Sequence, residues 1–234
     1  MESVAVIIVA GGSGTRCGGA IPKQFRLLGG VPVLARTINR FAEAFPQAEI
    51  IVVLPEQHLP FWKNFAARFP IATHKTIAGG QERFHSVRRG LQALCTTPEL
   101  IAIQDGVRPL CSTEMIHRVA ADAATYGAAI PVVQPVDSFR KIDGEVSHAI
   151  DRRQLRIVQT PQIFRTDILT SVYATEYNPL FTDDASVAEH FGHAIHLSAG
   201  EHHNLKITTE EDFIIAEALL AVSEKSRVAD DNNL

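Results

Sequence analysis

VAVIIVAGGSGTRCGGAIPKQF, residues 4–25, decides how the rest of the chain is read. Val4 to Ala10 is an unbroken run of β-branched and small apolar residues. A strand with one wet face alternates; an unbroken run marks a strand buried on both faces, as in a parallel sheet covered by helices. Gly11, Gly12 and Gly14 follow at once. They let the backbone turn tightly and bring its N–H groups close to an anion. Arg16 and Lys23 place two cations in the same stretch, so a polyphosphate is the natural ligand. The spacing is not that of a dinucleotide fingerprint, which needs a third glycine and an early helix, nor of a Walker A loop, which needs Gly-Lys-Ser/Thr. A glycine-rich turn with two solvated cations is the plain structural alternative.

Outward from this loop, strand and helix patterns alternate. Pro32 to Phe45 carries Leu34, Ile38, Phe41 and Phe45 at helical spacing. Glu49 to Leu54 reads as a buried strand, Leu59 to Phe69 as a helix, Thr73 to Ala78 as a strand and Gln81 to Leu94 as a helix. Leu100 to Gln104 is a strand ending in Asp105, Ser112 to Tyr126 a helix and Ala128 to Val133 a strand. That order predicts an α/β fold, a Rossmann-like, mostly parallel sheet flanked by helices. The rhythm breaks over residues 135–160, where charges and a Gly144 turn point to a two-stranded excursion. Such a hairpin is marginal alone and needs something to pack on, with a second subunit the natural candidate. Beyond it, Thr166 to Tyr177 and Thr182 to Phe191 read as helices, and Ala194 to Ser198 and Leu205 to Thr208 as short strands. The last helix, Thr208 to Val222, is expected to open on a capping box of Thr208 and Glu211, and the polar tail from Ser223 to fray.

The whole, residues 1–234, is expected to form a single domain, with 46% hydrophobic and 21% charged residues as in ordinary globular chains. A net charge of −4 argues against a nucleic-acid binder but allows small anionic ligands, which need only a local cluster of cations. No apolar run is long enough for a membrane span, and no basic segment or cleavage site precedes the first strand, so neither a membrane nor a signal peptide is expected. The three cysteines lack metal-ligand spacing, which suggests a reduced, cytoplasmic protein.

Two further segments carry chemistry. In Gln104-Asp105-Gly106-Val107-Arg108-Pro109, Asp105 ends a parallel strand, where open α/β sheets place ligands. A carboxylate there suits Mg²⁺ on nucleotide phosphates, and Arg108 could reach a phosphate bidentately. A turn aspartate paired with its neighbouring arginine is the alternative. In Ala78-Gly79-Gly80-Gln81-Glu82-Arg83-Phe84-His85-Ser86, glycines open a helix whose first N–H groups could meet a base edge or ribose, with Ser86 one turn in. The histidines at 190, 193 and 196 suggest a zinc site only weakly, because Gly192 interrupts the helix and no carboxylate completes the set. Cys17 is a tempting nucleophile beside Arg16, but no histidine pairs with it.

Together with Thr160-Pro161-Gln162, Thr182-Asp183-Asp184-Ala185 and Asn204-Leu205-Lys206-Ile207-Thr208, these motifs resemble the 2-C-methyl-D-erythritol 4-phosphate cytidylyltransferases of the non-mevalonate isoprenoid pathway, over about residues 4–222. The resemblance implies transfer of CMP from CTP to a sugar-alcohol phosphate, with Mg²⁺ as cofactor and a homodimer. It implies that the backbone of Ala10, Gly11, Gly12 and Gly14 and the side chains of Arg16 and Lys23 hold CTP, with Gly80, Gln81 and Ser86 at the cytosine and ribose. Asp105 would sit near the metal, Lys206 beside the transferring phosphate and Arg108 at the acceptor phosphate. Arg16, Lys23 and Lys206 are the expected catalytic groups. Asp137, Ser138, Arg140, Arg152 and Thr160 match an arm at about residues 135–160 that in such enzymes reaches the partner's site. Gln81 stands where the family often has an acid, and Ser138 where it often has threonine.

A phosphate monoester is largely a dianion at neutral pH, its second pKa being about 6, so no general base is needed. In-line attack on the α-phosphorus then depends on alignment and charge stabilisation. A ribitol 5-phosphate cytidylyltransferase shares the glycine loop and is the nearest competitor. A nicotinamide oxidoreductase and a silent nucleotide-binding regulator are the readings from other classes.

Overall fold

The computed structural model describes residues 2–11 and 21–231, with side chains described as far as Ser223. β1 (Val4–Val9) is followed by a small hairpin of β2 (Leu27–Leu28) and β3 (Val31–Pro32). Then come α1 (Val33–Ala44), β4 (Glu49–Leu54), α2 (Leu59–Ala66), β5 (Lys75–Ala78), α3 (Arg83–Gln92), β6 (Leu100–Asp105), α4 (Thr113–Tyr126) and β7 (Ala128–Val133). β8 (Phe139–Asp143) and β9 (Val146–Ile150) form a two-stranded sheet of their own. The chain continues with β10 (Ile157–Val158), β11 (Gln162–Arg165), α5 (Thr166–Val172), α6 (Asp184–His190), β12 (His196–Ala199) and α7 (Glu210–Asp231).

β5, β4, β1 and β6 lie side by side and parallel. β11 pairs antiparallel with both β6 and β7, β10 continues along β7 in the same sense, and β12 runs parallel to β7. The sheet is therefore mostly parallel with one antiparallel insertion, in keeping with the α/β expectation. Its two faces are both covered, which is why β1 reads as an unbroken apolar run. Val6 and Ile8 pack with Leu34, Ile38 and Phe41 of α1 and Met115 and Val119 of α4. Ile7 and Val9 face the other way, against Phe84 and Val87 of α3 and Leu169 and Val172 of α5. Each large side chain so buried contributes about 1.5–3 kcal/mol. α3 lies so close to β1 that a Cβ on Gly90 would stand 2.6 Å from Ile7 Cγ2.

A smaller cluster of Leu28, Val33, Val107, Ile207, Phe213 and Ala216 ties α7 to the β2–β3 hairpin, the start of α1 and the loop after β6. Register sets Val9 opposite Asp105, so the C-terminal ends of β1 and β6 meet where such sheets bind ligands.

Several sequence expectations change. Residues 205–208 are not a strand; Ile207 makes a single backbone bond to Val107 O and the segment runs on into α7. The cap of α7 is formed by Thr209 and Asp212 rather than Thr208 and Glu211. Asp212 N–H donates to Thr209 Oγ1, and Asp212 Oδ2 accepts from the N–H groups of Thr208 and Thr209. α7 continues through the expected frayed tail to Asp231. α5 stops at Val172, five residues short of Tyr177. The excursion is a hairpin as expected, but residues 157–160 belong to the main sheet: Ile157 and Val158 pair with β7, and Gln159 N–H donates to Pro131 O.

Candidate active site

A cleft of about 450 Å³ opens at the joined ends of β1 and β6. It gathers Ala10, Gly11, Lys23, Gly80, Gln81, Ser86, Asp105 and Lys206 of the sequence-derived candidates, together with Arg83 and Thr208. Gly12, Gly14 and Arg16 lie outside the described residues, as does Cys17. A roomier hollow of about 710 Å³ on the far side of Gly80 and Gln81 is lined by Arg88, Arg89 and Tyr173, but no carboxylate faces it. The described sequence-derived candidates gather in the smaller cleft instead.

Asp105 is its centre. Its Oδ2 lies 3.1 Å from Lys206 Nζ and 3.3 Å from Arg108 Nε, and its Oδ1 lies 3.8 Å from Arg83 Nε. Burial alone would push this carboxyl up. Arg83, then Lys206 and Arg108, outweigh that cost and hold it below the ordinary carboxylate value. From behind, Asp105 N–H donates to Thr160 Oγ1 at 3.1 Å. Thr160 is thus not on the hairpin: it is buried between β10 and β11, with its hydroxyl accepting from the backbone N–H of Asp105.

Lys206 is delivered by a segment without regular structure, and hydrogen bonds fix it instead. Asn204 is fully buried; its Nδ2 donates to Thr160 O at 2.9 Å, and its carbonyl accepts from Arg108 Nη1 at 2.8 Å. Gln159 Nε2 donates to Glu201 O at 2.7 Å. Arg108 therefore links Asp105 to the Lys206 segment, and its guanidinium is largely committed to these internal partners.

The glycine segment at 79–80 departs from expectation. Gly79 N–H donates to Leu54 O, and Gly80 N–H donates to Ser86 Oγ at 3.2 Å. Ser86 Oγ in turn donates to Glu82 O. A Cβ on Gly79 would lie 2.8 Å from that hydroxyl, so only glycine lets the turn close over Ser86. Ser86 braces the turn, and the two glycine N–H groups are spent on the protein rather than held open for a base. Ala10 behaves likewise: its N–H donates to Val53 O and its carbonyl accepts from Gln24 Nε2, so it shapes the cleft rather than donating into it.

Arg83 is the residue that sequence reading passed over, although the quoted segment contains it. It opens α3, where the helix dipole disfavours a cation. That misfit was the available signal: an arginine at a helix N-terminus needs carboxylate partners brought in from elsewhere.

Asp137, Ser138, Arg140 and Arg152 are exposed on or beside the β8–β9 hairpin, away from the cleft lining. Arg140 Nε donates to Ser147 Oγ at 2.8 Å across the hairpin, and Arg152 Nη1 donates to Val136 O at its base. Around them Val136, Phe139, Ile142 and Val146 are exposed. Among the described residues no group of three or more His, Cys, Asp or Glu converges to hold a metal by itself. Burial pushes the Cys111 thiol up to about 12, which removes it as a nucleophile at neutral pH.

The described family model for 2-C-methyl-D-erythritol 4-phosphate cytidylyltransferase matches residues 4–222. The enzyme of that name from Bacteroides thetaiotaomicron is 43% identical over 217 residues, 92% of this chain and 99% of the relative. That from Geobacillus thermodenitrificans is 40% identical over 229 residues, 96% of this chain and 98% of the relative. Among solved structures, the Thermus thermophilus 2-C-methyl-D-erythritol 4-phosphate cytidylyltransferase superposes with a TM-score of 0.75 at 31% identity, covering 93% of this chain and 98% of that one. The 4-diphosphocytidyl-2C-methyl-D-erythritol synthase of Anaerococcus prevotii gives a TM-score of 0.79 at 28% identity, covering 94% and 99%.

Proposed function

The chain belongs to the 2-C-methyl-D-erythritol 4-phosphate cytidylyltransferase family, and from that membership we propose how its cleft works. CMP passes from CTP to the phosphate of 2-C-methyl-D-erythritol 4-phosphate, giving 4-(cytidine 5′-diphospho)-2-C-methyl-D-erythritol and pyrophosphate. The observation that carries the reading is the ring of Arg83, Arg108 and Lys206 about Asp105, a carboxylate that lines the same cleft as Lys23. Two polyanions must meet there, and a preformed cationic wall lowers the cost of bringing them together.

The acceptor phosphate attacks the α-phosphorus in line as a dianion, so no side chain needs to remove a proton. Lys206, aimed into the cleft from its braced segment, meets the transferring phosphate. Lys23, nine-tenths buried in the opposite wall, meets the triphosphate oxygens with Arg16. These cations gather the charge that spreads over the α-phosphate, and the placement of Lys206 and Lys23 helps to align the nucleophile. Gln81 and the turn braced by Ser86 border the base end.

Asp105 would hold the divalent cation. An ionised carboxylate that belongs to no group of three or more His, Cys, Asp or Glu among the described residues suits Mg²⁺, which is commonly held by one or two carboxylates together with substrate phosphates. When bound, the ion would neutralise and orient the triphosphate. We further propose a homodimer through the β8–β9 hairpin, because a two-stranded hairpin with three exposed large apolar residues, Phe139, Ile142 and Val146, and a fourth, Val136, just before it gains by covering them. Asp137, Ser138, Arg140 and Arg152 would then serve the partner's acceptor site. Exposed Cys95 and buried Cys111, both free thiols, favour a reducing, cytoplasmic setting.

The test is pyrophosphate release from CTP with Mg²⁺ and each acceptor in turn. Turnover is expected with 2-C-methyl-D-erythritol 4-phosphate. Turnover with ribitol 5-phosphate alone would reassign the acceptor, and no turnover with either would leave a nucleotide-binding regulator.

A further inference from the structure

Two of the motifs that mark this family, around Gln162 and Asp183-Asp184-Ala185, contribute nothing to the cleft lining, yet they lead to it. Asp184 is fully buried at the start of α6. Its Oδ2 accepts from Arg83 Nη2 at 2.6 Å, and its Oδ1 accepts from Tyr173 OH at 2.6 Å. Gln162 of β11 holds the turn that carries Asp184: its Nε2 donates to Asp183 Oδ2 at 2.8 Å, and its Oε1 accepts from Ala185 N–H at 2.9 Å. Asp183 closes the turn with a capping box to Ser186. Arg83, clamped at one edge by Asp184, presents its Nε to Asp105 Oδ1 at 3.8 Å. Arg83 and Asp184 are 101 residues apart in sequence.

We infer that Arg83 is a positioning residue for Asp105, and that Asp184, Tyr173 and Gln162 exist to hold its guanidinium at that station. The clamp has a two-sided consequence. A planar guanidinium can serve two carboxylates from different edges, whereas an ammonium is a single point. With Asp184 in place, Arg83 faces Oδ1 without closing to hydrogen-bond distance, and Oδ2 stays turned toward Lys206 and Arg108. Without Asp184, the guanidinium is drawn onto Asp105 and pairs with the carboxylate that the reaction needs. The inference rests on the cytidylyltransfer reading and deepens it, by giving the two motifs a physical task at the same site.

The test is a set of variants in the full-length protein: Arg83→Lys, Asp184→Asn, the double variant and Tyr173→Phe. For each, kcat, KM for CTP and Tm are measured. Arg83→Lys keeps the charge but cannot bridge. It is expected to lose roughly 10–100-fold in kcat with a smaller change in KM, as is Asp184→Asn. The double variant should be no worse than the poorer single one, because both break one unit. Tyr173→Phe leaves the Arg83–Asp184 pair intact and should fold, with kcat lowered by only about threefold. A lysine variant with wild-type kcat, losses that track Tm alone, or additive losses in the double variant would overturn the inference while leaving the function standing. A wild-type protein that releases no pyrophosphate would overturn the function, and the inference with it.

Discussion

Lys206 allows its part in catalysis to be separated from its part in stability. Its Nζ stands 3.1 Å from Asp105 Oδ2 and its side chain is 45% exposed. The bare Coulomb attraction at that distance is about 5 kcal/mol for an effective dielectric of about 20. Little of this reaches the folding free energy. Solvent screens a half-exposed pair, a long side chain has to be ordered, and Asp105 keeps Arg108 at 3.3 Å and Arg83 at 3.8 Å. Lys206→Ala should therefore cost about 0–1 kcal/mol, a fall in Tm of about 0–4 °C for a chain of this size. Turnover answers to a different quantity, because a preorganised cation aimed at the transferring phosphate acts where charge develops. Its removal should cost about 10²–10³ in kcat, or about 2.7–4 kcal/mol. The assay pairs a thermal melt with pyrophosphate release at saturating CTP and acceptor. A variant within threefold of wild-type kcat would refute the catalytic assignment. A Tm lowered by more than about 10 °C would refute the claim that the Asp105 pair is energetically minor.

Three further outcomes are expected. Asp105 is held below its ordinary value of 3.8, so the stability it contributes is fully present above the unfolded carboxylate pKa and is lost as pH falls through the depressed folded value. Calorimetry from about pH 6 down to about pH 2 should show the Tm gap between wild type and Asp105→Asn narrowing below about pH 4; a constant gap would show that Asp105 is not electrostatically coupled to its three cations. Asp212→Ala removes the carboxylate oxygen that accepts from Thr208 N–H, Thr208 Oγ1 and Thr209 N–H at 2.8, 2.6 and 2.8 Å, and should cost about 1–2 kcal/mol. A urea midpoint that does not move would remove the cap from the account of α7. Ile142→Asp, at a hairpin side chain that is 71% exposed, should turn the proposed dimer into a monomer in sedimentation velocity without lowering Tm. An unchanged sedimentation coefficient would refute the proposed hairpin interface.

Local pattern carried much of this protein. An unbroken apolar run from Val4 to Val9 already requires cover on both faces, because each of its alternating side chains must find a core, and Ile7 and Ile8 do so on opposite sides. The alternation of such runs with helical spacing specified a mostly parallel sheet, and a strand ending in Asp105 specified where its ligand edge lies. The order of short motifs was enough for the family. What remained hidden was whatever depends on residues distant in sequence. Gln162 to Arg165 contains a buried glutamine and reads poorly as a strand, yet β6 and β7 on either side supply its backbone partners. Leu205 to Thr208 has the composition of a strand, but hydrogen bonds through Asn204 and Arg108 hold it as an irregular brace instead. Spacing also cannot report occupancy. The N–H of Gly80 reads as available in the sequence, yet Ser86 occupies it, and nothing near Arg83 in the sequence announces its partner Asp184, 101 residues away. Periodicity records which face of an element is dry; which charges meet across the core is decided only when the elements pack.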